Sequence, residues 1–133
     1  MKVKKLLATL ILSVASLVIP LSSVLAASGW QWIDYVYITT WSPTFKKYKS
    51  DVFKSGGGYI KACFDVASTS AKDFTLYSYN PGSGNDKKVG STIYLKNKQC
   101  AEWYVKPYVD GSNKKAELYF ISTSGLSGAN IWD

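Results

Sequence analysis

The chain contains two cysteines, Cys63 and Cys100, and each lies in a stretch that alternates with the period of a half-buried β-strand. In Gly58–Val66, Ile60, Ala62, Phe64 and Val66 point one way, and Tyr59, Lys61, Cys63 and Asp65 the other. In Lys98–Val105, Ala101, Trp103 and Val105 oppose Lys98, Cys100, Glu102 and Tyr104. Setting the cysteines opposite each other on antiparallel neighbours puts Lys61 against Glu102, Asp65 against Lys98, and Tyr59 against Tyr104. Each such pair contributes roughly 0.2–1 kcal/mol. On the other face Ile60 meets Trp103 and Ala62 meets Ala101, which makes a core strip. Parallel pairing would instead oppose Lys61 to Lys98 and Asp65 to Glu102, two repulsive contacts. The charges therefore select antiparallel strands joined by a Cys63–Cys100 disulfide, a geometry that directly opposed strand residues satisfy. The alternative is a bridge between two packed sheets. It would turn Lys61, Asp65 and Glu102 inward, and burying charges is costly.

The N-terminal segment has a different character. Lys2, Lys4 and Lys5 precede an apolar run from Leu6 to Leu21, and Val24 and Ala26 supply small residues at a cleavage site. Those are the parts of a secretory signal peptide. The run is interrupted by Ser13, Ser16 and Pro20 and is shorter than the ~20 residues a membrane-spanning helix needs. The expected organisation is a signal peptide over 1–26 and one secreted domain over 27–133, with no transmembrane segment after cleavage. An exported chain of this size with two cysteines is expected to carry one disulfide.

Along the mature chain, turn signals separate short alternating runs. Strands are expected over Trp30–Thr40, Gly58–Val66, Asp73–Tyr79, Val89–Leu95, Lys98–Val105 and Ala116–Ile121. Phe45–Lys54, with Lys46, Lys47, Lys49 and Lys54, reads as an edge strand or exposed hairpin. Gly56-Gly57-Gly58 reads as a turn or bulge, Asn80–Lys88 as the most pronounced loop, and Val109–Lys114 as a hairpin loop. Ile131-Trp132-Asp133 is expected to form a short final strand that tucks Trp132 onto the body. The fold class is all-β: a small antiparallel β-sandwich of about seven or eight strands, with a small closed β-barrel as the alternative. One conflict remains at the Cys100 strand. Register gives it Gly58–Val66 as a neighbour, while short connections offer Val89–Leu95 and Ala116–Ile121, and a strand has two edges.

Tyr77–Leu95, a strand, an Asn-rich loop, Val89-Gly90 and a second strand, resembles a segment of the calcium-dependent phospholipid-binding β-sandwich modules. The resemblance implies a sandwich. Calcium needs many oxygen ligands, and here the loop offers Asn80, Asn85 and one carboxylate, Asp86, followed by Lys87 and Lys88. No metal site and no cofactor is expected.

Histidine is absent, which excludes Ser-His-Asp and Cys-His nucleophile systems. With the cysteines paired, a zinc site of the usual kind has no ligands. Among the nine carboxylates, Asp65 and Glu102 already oppose lysines, and no two others are brought together by pattern. The expectation is a protein without catalytic activity. All 16 basic residues are lysine, and specific base and phosphate reading leans on bidentate arginine, so specific nucleic-acid binding is not expected. The net charge of +7 falls to +4 once the three leader lysines are removed, enough for weak attraction to anionic surfaces.

The positive signal is tyrosine placement. Tyr59, Tyr77, Tyr79, Tyr104 and Tyr119 fall opposite the core residues of their strands and form the candidate binding set, with Tyr35 and Tyr37 as possible additions. Such rings offer large area with a polar tip, though tyrosine is also a good strand former. The expected function is a small exported binding module that contacts a cell-envelope polysaccharide or another protein through a tyrosine-rich sheet face. A secreted antagonist, bacteriocin-like or membrane-active, and an inhibitor of an extracellular hydrolase are the alternatives.

Overall fold

The computed structural model describes residues 29–81 and 84–133, so the predicted signal peptide lies outside the described residues. The elements are β1 (Trp32–Ser42), β2 (Lys47–Ser50), β3 (Phe53–Ser55), β4 (Tyr59–Val66), β5 (Lys72–Ser78), β6 (Lys87–Leu95), β7 (Cys100–Tyr104), β8 (Val109–Asp110), β9 (Lys115–Ser122) and β10 (Ser127–Trp132). A 3-10 turn over Lys106–Tyr108, carrying Pro107, follows β7. Among the described residues no helix is long and apolar enough to cross a membrane.

All pairings are antiparallel and form one continuous path, β6-β5-β9-β2-β1-β10-β4-β7, with β3 and β8 also paired to β9. The sheet curls until its two ends meet: a side chain placed at Gly90 of β6 would come within 3.6 Å of Trp103 on β7. The fold is thus a nearly closed barrel or sandwich stapled by one disulfide.

The cysteine strands pair in the predicted register. Tyr59 faces Tyr104, Ile60 faces Trp103, Lys61 faces Glu102, Ala62 faces Ala101 and Cys63 faces Cys100. The disulfide forms with its Cα atoms 4.0 Å apart. The inward phase is as expected, with Ile60, Ala62, Phe64, Val66, Trp103 and Val105 all buried. Phe64 is central to the core. Its ring stacks on Phe74 at 4.0 Å and meets Phe120 edge-on at 5.1 Å, while Phe120 also touches Trp103 at 5.3 Å. The conflict over the Cys100 strand resolves simply. Among the described residues β7 pairs only with β4, and both short connections carry the chain to other strands.

Two expectations are corrected. The lysine-rich stretch is an edge only in part: β2, with Lys47 and Lys49, lies between β1 and β9, whereas β3, with Lys54, pairs with β9 alone among the described residues. Its lysines point outward to local partners. Lys47 binds Asp73 at 2.9 Å, and the Lys49 ammonium sits 4.0 Å from the centre of the Tyr119 ring. The C-terminal tail does form a strand, but a longer and internal one: β10 begins at Ser127 and lies between β1 and β4 along its whole length. Its Ser-Gly-Ala-Asn run has poor strand propensity, and the two flanking ladders override it.

Asp73 is the main buried charge, only 8% exposed in its side chain. It accepts bonds from the Thr123 backbone N–H and hydroxyl and from the Lys47 ammonium. Burial works to raise its carboxyl, but the Thr123 and Lys47 contacts outweigh it and hold the group below the usual carboxylate range. A carboxylate depressed in the fold stabilises above its unfolded value of ~3.9, and that contribution is lost as pH falls through the folded value. Asp73→Asn is therefore expected to lower stability by about 1–3 kcal/mol at pH 6. The gap to wild type should shrink in urea titrations repeated at progressively lower pH below ~4.

Candidate functional site

The outward positions of β1, β10, β4 and β7 line up in rows across the sheet. Trp32, Trp132, Lys61 and Glu102 make one row. Tyr35, Asn130, Cys63 and Cys100 make the next, and Tyr37, Gly128 and Asp65 the third. Tyr59 and Tyr104 extend the face at the β4–β7 side, their rings 5.0 Å apart. Several large side chains here are open to solvent: Tyr37 is 65% exposed, Trp32 58%, Tyr59 57%, Tyr104 47% and Trp30 41%.

A groove of about 430 Å³ opens at the third row, lined by Tyr35, Tyr37, Asp65, Asn97, Lys98, Leu126 and Gly128 among others. Its geometry follows from Gly128. A Cβ there would lie 2.3 Å from the Tyr35 hydroxyl, so only glycine lets that ring lie across β10. Tyr35 then donates to Asp65 at 3.1 Å and meets Tyr37 edge-on at 5.0 Å. Lys98 closes the far wall by an ion pair with Asp65, the pair predicted from register. Asn97 anchors the same turn, its side-chain oxygen accepting the Val66 N–H at 3.0 Å. The Lys98 ammonium, with help from the Tyr35 hydroxyl, holds the Asp65 carboxyl below its ordinary range. Burial first, and Asp65 second, push the Tyr35 phenol up.

At the opposite end of the face the Lys61 ammonium does not contact Glu102 closely. It lies over two indoles, 5.2 Å from Trp30 and 5.1 Å from Trp132. Trp32 donates its indole N–H to Asn130 at 3.2 Å, tying the first row to the second.

The five predicted tyrosines do not share this surface, which corrects the single tyrosine face. Tyr59 and Tyr104 belong to it. Tyr77, Tyr79 and Tyr119 sit on β5 and β9 and the segment after β5, where they pack on one another. Tyr119 is fully buried, covered by Phe45, Tyr77 and Lys49. Its hydroxyl donates to Asp86 at 2.6 Å, and Asp86 also accepts the Asn80 N–H at 2.8 Å. Burial and then the Asp86 carboxylate push the Tyr119 phenol far up. Asp86 is thus a structural clasp of the Asn80–Lys88 loop.

The tryptophans were missed for a reason of phase. Simple alternation puts Trp30 and Trp32 on one face with Val36 and Ile38, and both faces of the strand read as apolar or aromatic. A register shift between Trp32 and Asp34 reverses the phase, so Ile33 packs inward and Trp32 faces water. Among the described residues no three His, Cys, Asp or Glu side chains converge as metal ligands.

The YndA coiled coil domain family matches residues 35–132, and the chain belongs to that family. The helices that the family's description implies are not what this chain forms, since the matched span runs from within β1 to the end of β10. Its curated relatives include the uncharacterized protein YndA of Bacillus subtilis (strain 168), 30% identical over 80 residues. That match takes in 60% of this chain and spans 61% of the relative's length. A solved structure, the CBM22-1–GH10 modules of Clostridium thermocellum endo-1,4-beta-D-xylanase 10B with xylohexaose, is similar at a TM-score of 0.38 and 12% identity. It covers 78% of this chain and 25% of that one, and the score is too low to bear on fold or ligand.

Proposed function

We propose that this protein is a small, exported, non-catalytic binding module that holds its ligand on the outer face of β1, β10, β4 and β7. The observation that carries this reading is the gathering of solvent-open Trp30, just before β1, Trp32 and Tyr37 on β1, Tyr59 on β4 and Tyr104 on β7 around one sheet face beside a groove. Contiguous exposed patches of this kind mark interaction sites on soluble proteins. The absence of histidine and the engagement of Asp65 by Lys98 and Tyr35 support a role without catalysis.

Retention on purified bacterial cell walls tests the reading. The wild type should be retained. A Trp32→Ala plus Tyr37→Ala variant should pass through, while Lys114→Ala, in the exposed β8–β9 turn, should behave as wild type. Equal retention of all three proteins would remove the outer face from the function.

A further inference from the structure

We infer that the ligand is an uncharged, extended polysaccharide chain lying along the strands from the Gly128 groove to the tryptophan end. This rests on the reading that the outer face binds. Outward positions on a strand recur every ~6.6 Å. Tyr37 in the groove and Trp32 at the other end are therefore separated by on the order of 15 Å along β1, too far for one small molecule to stack on both. Asn130 lies between them, and the Tyr35 hydroxyl and the edge of Asp65 stand beside Tyr37 in the groove, so polar groups accompany both aromatic ends. Aromatic platforms at the ends, accompanied by polar groups, match a polymer of rings that have apolar faces and hydroxyl edges.

Charge selects against a polyanion. The face carries Lys61 and Lys98, each with a carboxylate across from it, Lys98 in an ion pair with Asp65 and Lys61 opposite Glu102 without one. Lys61 lies over two indoles. Two carboxylates balance two ammonium groups, so no positive stripe runs along the ligand path. The remaining lysine excess sits on other elements, such as Lys87 and Lys88 on β6 and Lys115 on β9. A phosphate-rich polymer or an anionic membrane would be attracted there and not here. A protein partner fits less well too. Interface centres are depleted of charge, and here Asp65 and Lys61 occupy β4, one of the two inner strands of the patch.

Affinity electrophoresis and titration calorimetry against soluble xylan, glucomannan and mixed-linkage β-glucan, with wall teichoic acid as the polyanion, test this. At least one neutral polymer should retard the wild type equally at low and high salt. Tyr37→Ala and Trp32→Ala should each weaken that binding about tenfold or more, the scale of losing an aromatic anchor. Gly128→Leu, which fills the groove floor, should do the same; near-ultraviolet circular dichroism confirms that each variant is folded. Binding to teichoic acid alone, fading with salt, overturns the inference. Wall retention that depends on Trp32 and Tyr37 while every neutral polymer fails also overturns it, and leaves the binding face standing. Neutral-polymer binding that neither aromatic variant alters removes the face itself.

Discussion

Phe120→Ala should cost about 3–5 kcal/mol, the range for removing a fully buried aromatic ring. Phe120 has no exposed surface, and its ring touches Phe53 at 5.5 Å, Phe64 at 5.1 Å and Trp103 at 5.3 Å. Those three partners come from β3, β4 and β7, so the cavity would open where distant parts of the sheet converge. Three aromatic walls cannot collapse easily onto an alanine, which places the expected loss toward the upper part of the range. Urea unfolding followed by tryptophan fluorescence measures it. A loss below about 1 kcal/mol would mean that the ring is not packed as described.

Removing the disulfide should have a comparable effect by a different route. Cys63 and Cys100 are 37 residues apart, and closing a loop of that length restricts the unfolded chain by about 3–4 kcal/mol. A Cys63→Ser plus Cys100→Ser variant should melt about 15–25 °C below the oxidised wild type. Reduced wild type should melt close to the double variant. The β4–β7 ladder would remain, because its charge and aromatic pairs do not need the bridge. Coincident melting of the oxidised and reduced proteins would show that the staple contributes nothing.

The parts of this fold that could be read from the chain are those fixed by local pattern plus one long-range constraint. The β4–β7 register followed from two cysteines and four charges, and the Asp65–Lys98 pair came with it. What escaped was set by neighbours distant in sequence. β10 reads poorly as a strand because Gly128 and Ala129 lack the side chains that mark one, yet Gly128 is what makes room for Tyr35. Tyr119 alternates like a surface residue, and it is buried only because Phe45 and the Asn80–Lys88 loop return over it. The bulge in β1 breaks the alternation that groups Trp30 and Trp32 with the buried Val36 and Ile38, which hid their part of the candidate site. Tyr59 and Tyr104 were found because their strand has no such irregularity.

The strand order has a temporal consequence. Trp32 pairs with Trp132, a hundred positions later, and the last of the ten described strands occupies an inner place in the candidate ligand face. A chain emerging from its N-terminal end can pair β5 with β6 early, but β1 and β4 have nothing to join them to each other until β10 arrives. Assembly of that surface therefore waits for β10, with the slow, millisecond-to-second kinetics typical of topologies rich in distant contacts.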